Sequence, residues 1–325
     1  MMSSSPPTQA RTGLALLLSF VAAQAVRDVY LRHLFGNLGL FEVAFVAFGT
    51  AAVVFGLGLL LFARHQIRLL RAAWRSVIVV NVTTLVAWVS YLASLRLVEP
   101  AAVNLAFTGI APAAVAIWGL VGLTSGARAK TARLQGSLHW ALVGIVSALA
   151  IIVSTGRSGF ARLDPLTGLA GVALAAFSGI VITAETIVSK RMNEIGISAL
   201  SIVGVRFSLV TAVAAAMVIR TPGGLAELSP GAIAQQSFIF LLVLVGPIYL
   251  AQAGLKLTNP LLSSVVSATG PIVTLALQST VGIVALSPAM LIVTGLYAVV
   301  VIAAALTATV GSRASTADGR AVHPA

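Results

Sequence analysis

The sequence predicts an all-α polytopic membrane protein, with ten transmembrane helices arranged as two inverted five-helix repeats. Three features predict it: composition, a repeated proline unit and the placement of Lys and Arg. Of 325 residues, 59% are hydrophobic and only 9% charged, with a mean hydropathy of +1.05. A soluble chain carries roughly a quarter charged residues. Apolar runs of about 20 residues recur, long enough for a hydrocarbon core about 30 Å thick. The strands of a membrane barrel would instead read as alternating segments of about 10 residues.

The repeat begins with Leu95, Leu97 and Pro100, which recur as Leu255, Leu257 and Pro260. Each proline opens a run rich in small residues. A second proline follows about three helical turns later, at Pro112 and again at Pro271.

In chain order, residues 1–12 are Ser/Pro-rich with Arg11 as their only charge, and read as a disordered tail. From Gly13 the sequence imitates a secretory signal, with Ala23, Gln24 and Ala25 at the cleavage position. The apolar run continues to Phe35 and is needed as the first helix, so it is expected to be retained. The first repeat, 13–155, holds spans at 13–34, 40–62, 74–96, 100–124 and 137–155. The second, 165–311, holds spans at 165–189, 198–220, 233–256, 260–283 and 288–311, and residues 312–325 form a polar tail.

Lys and Arg set the orientation. Arg64, Arg68, Arg71 and Arg75 follow the second span, Arg128, Lys130 and Arg133 the fourth, Lys190 and Arg191 the sixth, and Arg313 and Arg320 the tenth. That side is expected to be cytoplasmic, with both termini on it. Five is odd, so the second unit must enter from the opposite side. The loop after the seventh span, which matches the arginine-rich one, holds only Arg220 and Glu227, and the loop after the ninth is uncharged. Equivalent loops have exchanged charge with side, the pattern of inverted-topology repeats.

The paired units Pro100…Pro112 and Pro260…Pro271 carry a resemblance, as does the passage Ser189-Lys190-Arg191 followed by Gly196, Ile197, Ser198, Arg206 and Phe207. Over most of 13–311 the chain resembles the drug/metabolite transporter superfamily, in particular its EamA-like family. The resemblance implies secondary transport of a small metabolite, commonly outward, across the bacterial inner (cytoplasmic) membrane.

Several polar residues within the spans are candidates for function, because intramembrane polar groups are costly unless partnered. Sliding the repeats by 157 residues aligns Asp28 with Glu185. A desolvated carboxylate can take and release a proton near neutral pH, so this pair is a candidate for coupling. The alternative is two structural ion pairs, Asp28 with Arg27 or Arg32 and Glu185 with Lys190 or Arg206, and the nearness of both acids to helix ends favours it. Arg206, about two turns inside the seventh span, either binds an anionic substrate group or fixes that helix through Glu185.

Asn81, Thr84, Trp88 and Tyr91 lie on one face of the third span. Asn104 and Thr108 extend the stripe on the fourth. Tyr249 and Gln252 on the eighth, with Ser263, Ser267, Thr274 and Gln278 on the ninth, form matching stripes. Their symmetric recurrence favours a cavity lined by spans three, four, eight and nine over interhelical bonding alone. Pro112 and Pro271 remove backbone hydrogen bonds and are candidate hinges.

No cofactor or metal is implied. There is no cysteine, His33, His65, His139 and His323 are scattered, and no Walker-type glycine loop is present to use ATP. The net charge of +12 sits in short loops rather than one patch, which excludes a nucleic-acid surface. The expected partners are the lipid bilayer, a small-molecule substrate and protons. The expected function is alternating-access transport of a small metabolite, amino-acid-like compound or drug. A channel-like facilitator is the alternative, and an intramembrane enzyme a more distant one.

Overall fold

The computed structural model describes residues 7–123, 133–160, 164–221, 229–258, 266–282 and 284–318. Among them there are helices and no strands. The helices are α1 (Pro7–Leu34), α2 (Leu40–Phe62), α3 (Ile67–Ala72), α4 (Trp74–Leu97), α5 (Pro100–Gly109), α6 (Ala111–Leu120) and α7 (Arg133–Ser154). They continue as α8 (Pro165–Glu194), α9 (Ala199–Arg206), α10 (Ser208–Arg220), α11 (Pro230–Phe240), α12 (Gly246–Leu257), α13 (Gly270–Thr280) and α14 (Pro288–Asp318).

Eight helical stretches are long and apolar enough to cross a membrane: Arg11–Leu34, Leu40–Phe62, Trp74–Leu97, Pro100–Leu120, Ser137–Ser154, Pro165–Glu194, Ala199–Arg220 and Pro230–Ile248. They give the chain multi-pass membrane character. Pro288–Ala304 is a shorter apolar helix. The expected ninth span falls partly outside the described residues, which leave it only Val266 to Gly282. The basic loop at 124–132 and the sparsely charged one at 222–228 also lie outside them.

Two expected tails differ from the sequence reading. Helix α1 begins at Pro7, inside the stretch read as disordered, and α14 runs to Asp318, past the expected start of the polar tail at 312. Proline at a first helical position has no amide to satisfy. Residues 312–318 are polar on average, yet no glycine or proline interrupts them.

Prolines set the interruptions. Glu99 is extended (φ −66°, ψ 146°) and Pro100 starts α5. Pro112 cannot donate, so the Thr108 carbonyl loses its helical partner, and a one-residue break at Ile110 separates α5 from α6. Pro271 repeats the device: a turn at Ala268–Thr269 precedes α13. Pro247 follows a π-helical segment, Leu241–Val245, between α11 and α12. The break at Phe207, between α9 and α10, is filled from outside. Asn81 of α4 accepts a hydrogen bond from the Leu209 amide at 3.1 Å.

The core forms by helix-on-helix packing. Helix α4 lies along α8, α1 along α12 and α13, α2 along α9 and α10, α7 along α14, and α5 against α8 and α13. Small residues allow the approach: a Cβ on Gly179 of α8 would meet the Phe107 carbonyl of α5 and lie 2.6 Å from the Ile110 side chain. Hydroxyls then staple the helices. Ser178 donates to the Ala87 carbonyl and Ser94 to that of Gly171, each at 2.7 Å. Large apolar side chains such as Leu120, Phe62 and Leu61 remain exposed, on a surface suited to hydrocarbon.

Candidate functional site

The interior of this apolar bundle holds a charged pair. Asp28 is fully buried and Arg27 nearly so. Neighbours on a helix point about 100° apart and do not naturally meet, but the long arginine side chain folds back. Its Nε and Nη2 donate to Asp28 Oδ1 at 2.9 and 2.7 Å. Nη2 also donates to the Tyr91 hydroxyl at 3.3 Å, and Asn104 Nδ2 donates to Asp28 Oδ2 at 3.0 Å. Three helices therefore satisfy one carboxylate and one guanidinium, which a membrane interior requires.

Aromatic rings surround the pair. The guanidinium carbon lies 5.2 Å from the Trp88 ring centre and 5.5 Å from that of Tyr91, in cation–π range. Tyr91 packs edge-on against Trp88 and Phe107, while Phe48 joins Trp88 to Phe207. A cavity of about 150 Å³ opens beside this group, lined by Phe20, Gln24, Arg27, Trp88, Tyr91 and Phe107, with Ala87, Ser178 and Ile182. Its walls come from α1, α4, α5 and α8. Around it, Trp88 Nε1, Asn104 Oδ1 and Thr84 Oγ1 are buried without a protein hydrogen-bond partner. The Arg27–Asp28 pair is neutral overall, and of the two only Arg27 lines the cavity, among the Trp88, Tyr91, Phe20 and Phe107 rings.

The residues singled out in the sequence thus fall into separate groups. Trp88, Tyr91 and Asn104 meet at the Arg27–Asp28 pair, with Thr84 buried one turn below Trp88. Asn81 serves the helix break and bonds the Val77 carbonyl. Thr108 donates to the Asn104 carbonyl and accepts from Tyr297 of α14 at 3.0 Å. Ser267 is exposed, and Thr274 is buried and donates to the Gly270 carbonyl. Ser263 lies outside the described residues, and the side chains of Tyr249 and Gln252 do too. Pro271 is buried and Pro112 half-buried.

Glu185 forms an ion pair with Arg206 at 3.2 Å and accepts from Ser189 at 2.7 Å, apart from the cavity. Arg32 turns away from Asp28 and donates to the carbonyls of Leu95 and Arg96.

Gln278 belongs to a second polar centre, at the end of the bundle where α4 gives way to α5. Its Nε2 donates to Glu99 Oε2 at 2.8 Å, and its Oε1 accepts from the Ala101 amide at 3.0 Å. The Gly159 amide reaches Glu99 Oε1 at 3.4 Å. Glu99 is fully buried, and burial raises its carboxyl to about 7, against the smaller opposing effect of the Gly159 and Gln278 bonds. Sequence reasoning passed over this residue because a carboxylate beside a proline in a short connection reads as a solvated turn. Its one visible signal is isolation: no cation lies within two residues of it on either side.

No family model matches the chain, and no curated protein matches it. A solved crystal structure described only as a protein superposes with a TM-score of 0.57 at 17% identity, over 94% of this chain and 97% of that one. That likeness is one of fold.

Proposed function

We propose that this protein is a secondary transporter of the EamA-like kind, moving a small metabolite across the bacterial cytoplasmic membrane by alternating access between two inverted five-helix repeats. The observation that carries the reading is the Arg27–Asp28 pair beside an aromatic-walled cavity inside a largely apolar bundle. Buried ionisable groups in membrane helices mark substrate and ion pathways by default.

The packing supports a doubled architecture. Taking α5–α6, α9–α10 and α11–α12 as single spans, a shift of five spans exchanges the contacts of α1 with α12 and α13 for those of α8 with α4 and α5. It turns α2 with α11 into α10 with α4, and maps α2 with α10, α7 with α14, and α5 with α13 onto themselves. Such reciprocity is what two copies of one module related by a twofold axis would give. The exchange of loop charge with side points the same way, with the second copy upside down and both termini cytoplasmic.

A volume of about 150 Å³ suits a small solute. The rings favour a partly apolar body, and the indole N–H with the neutral ion pair favours a polar or zwitterionic head, as in an amino-acid-like compound. The test is a thermal-shift screen of purified protein against a metabolite panel, followed by counterflow in proteoliposomes. A hit should show saturable exchange with trans-stimulation, whereas linear flux without it would indicate a facilitator. Trp88→Ala should abolish the ligand-induced shift; a shift equal to wild type places binding elsewhere.

A further inference from the structure

The centre at Glu99 lies apart from the cavity and ties together segments far apart in sequence. Glu99 joins the start of α5 to Gln278 near the end of α13 and to Gly159 in the connection before α8. Ser287, at the start of α14, closes the same seam by donating to the Arg157 carbonyl at 2.5 Å. A Cβ on Gly159 would run into the Val284 side chain and the Ala285 carbonyl, so the two segments approach closely at this join. We propose that Glu99 is a proton-binding site whose occupancy holds this end of the bundle closed, and whose deprotonation releases it. The clasp itself stands on these contacts; its place at the outward mouth rests on the transporter reading above.

The sign follows from linkage. In the closed arrangement burial lifts the carboxyl to about 7, whereas water at an opened mouth would return it toward its ordinary value of 4.5. The closed form therefore binds the proton more tightly, on the order of a hundredfold. Acid favours closure and alkali favours opening. The geometry accommodates the proton. Oε1 accepts only the long 3.4 Å contact from Gly159, so a proton there leaves the 2.8 Å bond from Gln278 to Oε2 intact.

The charged or titratable groups on the segments packed at this end are Arg32 and His33 of α1, Arg96 of α4, Arg157, and Asp164 before α8. Among the described residues none forms an ion pair with Glu99, and the described parts of α5 and α13 and the first turn of α14 carry no charge. Arg162 lies outside the described residues.

The chain has no cysteine, so two can be introduced cleanly. Spin labels at Arg96→Cys and Leu286→Cys, both exposed, would flank the clasp. Pulsed-EPR distances in proteoliposomes should move from a short population at pH 5.5 to a longer one at pH 8.5. Glu99→Gln should hold the short distance throughout. Gln278→Leu, which removes a bond to the carboxylate, should move the midpoint upward and keeps the test available if Glu99→Gln misfolds. His33→Gln should leave the response in place. An unchanged distance in wild type, a response surviving Glu99→Gln, an unmoved midpoint in Gln278→Leu, or a response lost with His33 would each overturn the proposal. No substrate is needed, so a failure of the transport reading leaves this measurement untouched.

Discussion

At the scale of single residues, the Arg27–Asp28 pair is the interaction that substitution should expose most sharply. Removing one partner of a buried ion pair leaves an uncompensated charge and costs about 3–5 kcal/mol, while replacing both with apolar groups can be nearly neutral. Asp28→Ala should therefore lower the melting temperature in detergent well below that of the Arg27→Met, Asp28→Leu double variant. Equal losses would mean that the pair is not insulated from water. Glu99 makes a second residue-scale prediction. Its folded-state carboxyl is raised to about 7 from 4.5, so its contribution to stability is present below the lower value and is lost as pH climbs through the higher one. Wild-type stability should fall by about 1–3 kcal/mol across that window, and Glu99→Gln should flatten the fall. Chemical denaturation at pH 5, 6 and 8 reads the difference. The sequence shows that Asp28, Glu185 and Arg206 lie inside apolar runs, which is enough to mark them. It offers Arg27 and Arg32 as partners for Asp28 without choosing between them, and it does not show that Tyr91 and Asn104 complete that pair or that Glu99 is sealed by Gly159 and Gln278, because these depend on contacts between distant segments.

At the scale of elements, the prolines and glycines decide how helices begin, break and approach. Periodic apolar runs and Pro100 placed the start of α5 from sequence alone, and Leu40–Phe62 coincides with its expected span. The stripes were harder to read. Asn81, Thr84, Trp88 and Tyr91 share a face of α4, yet Asn81 is used by the break at Phe207 and Tyr91 by Arg27. A common helix face does not specify which neighbour each turn of the helix meets. Two substitutions test the elements. Gly179→Leu would force a side chain into Phe107 and Ile110, and overpacking of this kind costs about 1–3 kcal/mol. Gly144→Leu, where a Cβ meets nothing within 4 Å, is the control that should be tolerated. Pro112→Ala restores an amide donor to the Thr108 carbonyl, so it should leave the melting temperature equal or higher while slowing exchange. Undiminished exchange would remove the hinge role from this break.

At the scale of the whole molecule, the contacts between helices recur in matching pairs. Hydropathy predicts how often the chain crosses, and loop charge predicts from which side, but neither says which helices touch. The contacts supply that independently: α1 has toward α12 and α13 the relation that α8 has toward α4 and α5. A bundle grown by adding helices one at a time would have no reason to reproduce such a correspondence. If it reflects two copies of one module with opposite orientation, residues 64–75 and 220–230 occupy equivalent loops on opposite sides of the membrane. Single cysteines in those two loops, probed in intact cells with a membrane-impermeant thiol reagent, should label only in the second loop until the membrane is permeabilised. Reversing the charge bias, by replacing Arg64, Arg68, Arg71 and Arg75 with Gln and adding Lys at 221–228, should weaken or invert that pattern, since Lys and Arg in short loops set orientation. Labelling of both loops from the same side would place the two units in parallel, and the cavity between α1, α4, α5 and α8 would then need an explanation other than alternating access.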